Sequence, residues 1–332
     1  MSGLEERQVL KARNVTVRFY TYAGVVHAVT DAYLDVYEGE TVAIVGETGS
    51  GKSVFTRALT GLIEPPGKIE SGSALFRKRN GDVVDLLKLS REDLRRVRGD
   101  EISYVFQDPS SALDPLYTAA DHIVETILAH RGASKGEAFS EAIQLLRDVA
   151  IPNPELRAKN YPHELSGGQK QRVVIATAIA NKPRLLIADE PTTNLDVTVQ
   201  AQILDLLASL KGKYGMGMLL ITHNLGVVAE VADRVYVMYG GRIVESADVF
   251  TIFESPAHPY TAMLLKSVPD PTRKIDKLES IPGTVPDLID VGPGCLFAPR
   301  CPFAKDLCQR QTPPAIEVGD RHVVHCWLHA KR

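Results

Sequence analysis

Cysteine is absent from this 332-residue chain until Cys295; Cys301, Cys308 and Cys326 then follow within the carboxyl-terminal tail. An apolar stretch long enough to cross a bilayer is missing too. The longest run, Val173 to Ala180 interrupted by Thr177, falls far short of the ~20 residues required. The opening MSGLEERQVLKARNV has no basic region followed by an apolar core, which excludes a secretory signal there. Excess positive charge is also lacking: a net charge of -3 and a pI near 6.3 give no footprint for nucleic acid beyond a local patch. These absences point to a cytoplasmic chain, or one attached to a membrane only through partners. Thiols stay reduced there, so a late cysteine cluster reads as metal-binding or redox-active rather than as a disulfide framework. What is present, 44% apolar and 24% charged residues, suits one large core with an appendage.

The run TVAIV after Glu40, a glycine-rich turn and then KSVFTRALTGLI predict strand, loop and helix. LLIA from Leu185 and MLLIT from Met218 are apolar on both faces, as strands buried in a parallel sheet are. Val199, Ile203, Leu206 and Leu210 make a helical stripe between them, so the order is a βαβ crossover and the class α/β. The earlier segment from Val9 to Glu40 alternates and predicts antiparallel strands beside that sheet, and RVYVMYGGRIVES predicts a hairpin through Gly240 and Gly241. Helical patterning from about Asp121 to Ala150 interrupts the alternation and predicts a helical subdomain inserted over about 109–165. After Pro256 the composition shifts, and from Ser280 onward seven prolines leave too few periodic apolar positions for an independent core. The expected division is therefore 1–256 and 257–332.

GETGSGKS matches G-x-x-x-x-G-K-[ST] between a predicted strand and a predicted helix. Gly46, Glu47, Thr48, Gly49, Ser50 and Gly51 form a loop whose backbone N–H groups can turn around phosphate oxygens. Lys52 reaches the β and γ phosphates, and Ser53 offers a hydroxyl to Mg²⁺. RLLIADE ends in adjacent carboxylates that point different ways. Asp189 can hold Mg²⁺ while Glu190 polarises the attacking water as general base. In ELSGGQKQR, Ser166 before two glycines and a helical run is a capped helix N-terminus able to receive a γ-phosphate. Taken singly, each motif has a plain structural reading as a turn, a solvated strand end or a helix cap.

Together and in this order, LSGGQ, the phosphate loop and the acidic strand end resemble the nucleotide-binding subunits of ABC transporters. The resemblance implies a P-loop core with an antiparallel β subdomain, a helical insertion and ATP hydrolysis. It further implies that Ser166, Gly167, Gly168 and Gln169 serve ATP held by an opposing subunit, so a second ATPase, identical or homologous, is needed. Gln107 in YVFQDP matches the glutamine that contacts Mg²⁺ and the attacking water, His223 in LLITHN the histidine that contacts the γ-phosphate, and Asp196 in TTNLD the interface aspartate. Asn194 departs from the alanine many relatives carry. Phe19 in NVTVRF stands where the family stacks an aromatic ring on adenine, with Tyr20 and Tyr22 as alternatives.

SPAHPYTAMLLKSVP, IPGTVPDL and GCLFAPRCPF resemble the carboxyl-terminal extension of the oligopeptide and dipeptide importer ATPases. Such subunits sit at the cytoplasmic face under two membrane-spanning permeases that receive cargo from an extracytoplasmic binding protein. Oligosaccharides or nickel are alternative cargoes of the same machine. A soluble ABC ATPase acting on ribosomes or nucleic acid is a further alternative, opposed by the single phosphate loop, single LSGGQ and acidic charge. The spacing C-x5-C-x6-C-x17-C matches no common zinc or ferredoxin run, though four cysteines fit one tetrathiolate site that would staple a proline-rich tail. The resemblance implies a [4Fe-4S] cluster on Cys295, Cys301, Cys308 and Cys326, with zinc or free or paired thiols as alternatives. His322, His325 and His329 are close enough in sequence to compete as ligands, but are expected to be ordinary surface residues. Since the cysteines lie far beyond His223 in sequence, their centre is expected to be structural, with ATP hydrolysis by the core surviving at first when Cys301 or Cys308 is changed to Ser.

Overall fold

The computed structural model describes residues 4–193, 195–267 and 281–330. Two sheets organise it. The smaller is antiparallel, with β1 (Gln8–Thr21) flanked by β2 (Gly24–Tyr37) and β4 (Gly67–Arg77), and with β5 (Val83–Asp85) at the edge beside β4. The larger has eight strands. Its parallel centre consists of β6 (Ile102–Val105), β7 (Leu185–Asp189), β8 (Gly217–Ile221), β3 (Thr41–Val45) and β9 (Arg234–Tyr239), in the spatial order 6-7-8-3-9. β3, β7 and β8 are buried along their whole length, which is why their sequences run apolar without alternation. The hairpin turn at Gly240 and Gly241 brings β10 (Arg242–Asp248) antiparallel onto β9, pairing Tyr239 with Arg242.

Between β6 and β7 lie helices Pro109–Ala112, Ala119–His130, Lys135–Asp148, Pro154–Arg157 and Gly167–Ile179. Thr118 with Asp121 and Ser134 with Glu137 form reciprocal capping boxes that fix the starts of two of them. Their apolar faces, including Ile123, Ile127, Ala142, Leu145 and Leu146, share one core with Val173, Ile175 and Ile179.

The tail differs from a free appendage. β11 (Ile316–Gly319) and β12 (His322–Val324) extend the large sheet past β10, with Val324 opposite Glu245. Strands of four and three residues are too short for periodicity to reveal. Phe297, 1% exposed, sits edge-on to Tyr239 at 5.2 Å and beside Tyr260 at 5.3 Å, in a core shared with Ala43, Val45 and Val228. Full burial of such a ring contributes roughly 2–3 kcal/mol. The segment therefore borrows a core from the sheet where it cannot build one.

Candidate functional site

β3 ends at Val45, and the chain then turns through a loop whose shape demands glycine. Gly46 has φ +152°, and a Cβ there would stand 2.1 Å from the Met238 carbonyl oxygen; Gly51 has φ +100°, and its Cβ would meet the Ala28 carbonyl at 2.5 Å. The helix Lys52–Leu59 begins at once, directing its unpaired N–H groups back toward the loop. Lys52, 6% exposed, donates to the carbonyls of Gly46 at 2.8 Å and Glu47 at 3.0 Å. Burial lowers the Lys52 pKa, while the nearby charges of Glu190, Asp189 and Glu47 oppose that shift. With the Ser50 hydroxyl at 3.5 Å as its other partner, the ammonium is held by neutral oxygens and keeps its charge available for an anion.

Asp189 closes β7. Its Oδ1 accepts the Ser53 hydroxyl at 2.9 Å and its Oδ2 accepts the Tyr104 hydroxyl at 2.8 Å, which aims the carboxylate at the loop. Glu190 follows with φ +47°, a left-handed conformation that costs a non-glycine residue on the order of 1–3 kcal/mol and turns its side chain away from that of Asp189. Its Oε2 accepts from Gln107 Nε2 at 3.0 Å and from the Thr193 hydroxyl at 2.8 Å, and its Oε1 faces His223 Nδ1 at 3.1 Å. Burial raises the Glu190 pKa, but the hydrogen bonds from His223 and Thr193 and the charges of His223 and Lys52 outweigh it and hold the pKa below the ordinary value. The carboxylate is thus ionised and oriented.

Lys52, Ser53, Gln107, Glu190, Thr193 and His223 line one open cavity of about 500 Å³. Thr193 escaped the sequence reading, although its place three residues after Glu190 could have suggested it. Leu288 and Val26 line the cavity too, and nothing in the motifs points to them. Phe19 does not line it. That ring packs against the smaller sheet's core and lines a neighbouring cavity with Arg57, Ile63 and Phe106. Tyr20 is hydrogen-bonded to Glu70, and Tyr22 is fully exposed.

The LSGGQ residues stand apart from the cavity. Ser166 caps the helix Gly167–Ile179 in a reciprocal box with Gln169, whose Oε1 accepts the Ser166 N–H at 3.1 Å. Leu195 and Val199 pack against Gly167 and Gly168, and Asp196 caps the next helix by accepting the Val199 N–H at 2.9 Å. Asn194 lies outside the described residues. Ser166 and Gly167 are exposed, so this helix start offers its N–H groups outward.

The four cysteines carry no disulfide. The Cys308 sulfur accepts the Lys305 backbone N–H at 3.5 Å. Burial pushes the Cys295 thiol up to about 11 and raises Cys301 and Cys326 as well. Among the described residues no group of three or more His, Cys, Asp or Glu converges on a single metal ion. The histidines correct the expectation of surface residues. His322 is buried against Glu245 at 2.8 Å, His325 packs on Tyr33, and His329 bonds the Ala257 carbonyl at 2.9 Å.

A phosphate loop, an acidic strand end with its glutamine and histidine, and an outward-facing LSGGQ helix define an ATP-binding cassette ATPase. Residues 29–193 match the ABC transporter family model, and residues 244–308 match the carboxyl-terminal region of oligopeptide/dipeptide transporters. The chain is 47% identical over 326 residues to the dipeptide transport ATP-binding protein of Bacillus subtilis, covering 98% of this chain and 96% of that one. It is 46% identical over 323 residues to the oligopeptide transport ATP-binding protein of the same organism, covering 97% and 89%. A solved dimeric ATP-binding cassette in a post-hydrolysis state, bound to ADP and Pi, superposes with a TM-score of 0.64 at 30% identity, covering 72% of this chain and 98% of that one. This chain belongs to the oligopeptide/dipeptide branch of the ABC transporter ATP-binding subunits, and it is an ATPase coupled to transport. No helix among the described residues is long and apolar enough to cross a membrane.

Proposed function

We propose that this chain hydrolyses ATP to drive import of oligopeptides or dipeptides, paired with a second ATPase beneath two membrane-spanning permeases at the cytoplasmic face. The observation that carries the catalytic part is Glu190, ionised and held between Gln107, Thr193 and His223 at the mouth of the phosphate loop. A water placed between Glu190 and the γ-phosphate gives up its proton as its oxygen bonds to phosphorus, and the bond to the ADP oxygen breaks. Lys52 and the start of its helix balance the phosphate charge. Ser53 and Asp189, already hydrogen-bonded to each other, would hold Mg²⁺ together with Gln107, and the ion would neutralise charge on the phosphate oxygens. Ser166 to Gln169 would close the site of an opposing subunit. The peptide cargo rests on the match at residues 244–308 and on the named relatives.

We propose further that Cys295, Cys301, Cys308 and Cys326 would hold a [4Fe-4S] cluster, with zinc as the alternative. Their closeness supports one shared centre: the charges of Cys326, Cys308 and Cys301 all act on the Cys295 thiol. The cluster would staple the tail.

The test is purification with the permeases and uptake into vesicles. Dipeptides and oligopeptides should be accumulated in an ATP-dependent way, and uptake of oligosaccharide or nickel instead would reassign the cargo. Anaerobically purified protein should be brown with about four irons per chain. Colourless protein with one tight zinc would overturn the cluster while keeping the staple.

A further inference from the structure

The second residue of the phosphate loop is held from the far end of the chain. Arg300, immediately before Cys301, clasps the Glu47 carboxylate in a fork, Nη1 to Oε2 at 2.7 Å and Nη2 to Oε1 at 3.0 Å. Its side chain is 5% exposed and is itself fixed by the carbonyls of Pro282 at 2.8 Å and Ile281 at 3.4 Å and by the Tyr239 hydroxyl at 3.3 Å. The Glu47 backbone N–H donates to the Tyr260 hydroxyl at 2.9 Å, a second hold on the same residue. A third contact comes from the segment around Ile289, which pairs antiparallel with Val26: the His27 N–H donates to the Leu288 carbonyl at 2.7 Å and the Asp290 N–H to Val25 at 3.0 Å. This places Leu288 in the wall of the nucleotide cavity.

Glu47 is an acidic residue inside a loop whose work is to surround a polyanion. Left alone, its carboxylate would repel the phosphates and compete for Lys52, which already lies against the Glu47 carbonyl. Paired with a buried guanidinium, it contributes no net charge, and the fork fixes the start of the loop.

We propose that Arg300 is a positioning residue for ATP, cancelling the Glu47 charge and pinning the phosphate loop, so that the cysteine-bearing extension completes the nucleotide site. This rests on ATP occupying the Gly46–Ser53 loop, which Lys52→Ala tests separately. Affinity is measured on the full chain by displacement of a fluorescent ATP analogue with ATP and with ADP, at low and high salt. Arg300→Gln should raise the ATP dissociation constant roughly tenfold, a middling coupling within one charge network. The loss should shrink at high salt and be smaller for ADP, which carries less charge. Adding Glu47→Gln to Arg300→Gln should recover most of the affinity, since no unpaired carboxylate remains. Arg300→Lys, the milder change should Arg300→Gln fail to fold, should keep most of the affinity because the charge stays.

Unchanged ATP affinity in Arg300→Gln, with Lys52→Ala still impaired, overturns the inference and leaves the site intact. A double variant no tighter than Arg300→Gln, or Arg300→Lys as weak as Arg300→Gln, overturns the charge compensation. If Lys52→Ala binds ATP normally, the loop is not the site and both fall.

Discussion

Glu190→Gln removes one charge and almost no volume, so its effect isolates what the carboxylate does. In the native site Oε2 accepts from Gln107 and Thr193, and Oε1 faces His223 Nδ1 at 3.1 Å. A glutamine can keep the first two donors on its carbonyl oxygen and turn its amide N–H toward His223, provided the imidazole carries its proton on Nε2. The side chain then stays in place, and what disappears is the acceptor for the proton of the attacking water. A positioned base contributes ~10²–10⁴ in rate, or about 2.7–5.4 kcal/mol of barrier at ~1.36 kcal/mol per decade. Hydrolysis should fall by that factor. Binding should not weaken, because a negative charge facing the γ-phosphate has been removed. The assay is single-turnover hydrolysis of labelled ATP with saturating Mg²⁺, beside equilibrium binding of the same nucleotide. ATP should accumulate on a closed dimer. Hydrolysis near the parent rate would refute the assignment of Glu190 as base, and parallel loss of binding would show that the carboxylate builds the loop instead.

Three further outcomes are expected. Ser166→Asp keeps a helix-capping side chain but turns a negative charge toward the opposing γ-phosphate, so excess variant mixed with wild type should suppress turnover at intact phosphate loops; activity proportional to the wild-type subunit alone would remove the shared site. His258 is fully buried with its pKa lowered to about 3, so the unfolded chain takes up a proton below its ordinary value of 6.5 that the folded chain refuses. Stability from this group is complete above pH 6.5 and declines as pH falls, by up to ~1.4 kcal/mol per unit. His258→Asn, which retains an acceptor for the Tyr260 N–H, should flatten the acid limb of denaturant-unfolding curves, and parallel curves would contradict it. Cys301→Ser should lose iron and weaken ATP binding together, because Arg300 is its neighbour; iron loss with unchanged affinity would separate the module from the loop.

The ATP machinery was legible because its chemistry is local. GETGSGKS is short, needs glycine at positions where the chain curls onto Met238 and Ala28, and carries its lysine and serine with it. Glu190 and Asp189 follow a strand whose burial on both faces announces it, and the LSGGQ serine caps the helix it precedes. Phe19 was not legible in the same way. Three aromatics crowd one strand end, and side-chain direction there depends on register shifts in the pairing of β1 with β2 that no alternation records.

The extension was recognisable from its residues, but how it packs was not, because its partners are distant in the chain. Low apolar periodicity implied that residues beyond Ser280 have no core of their own, and Phe297 is buried in a core shared with Ala43, Val45 and Val228. A segment that cannot fold alone must borrow its packing, and the surface it borrows here is the back of the phosphate loop. Phe297 enters the core beneath Tyr239 and Tyr260, Tyr260 holds the Glu47 N–H, and Arg300, three residues along from Phe297, holds the Glu47 carboxylate. The same turn runs from Cys295 to Cys301. Arg300 stands in that turn, directly before Cys301, so its contact with Glu47 and the two sulfurs share one short stretch of chain. The proposed role of Arg300 would thereby put this module in the path of nucleotide binding.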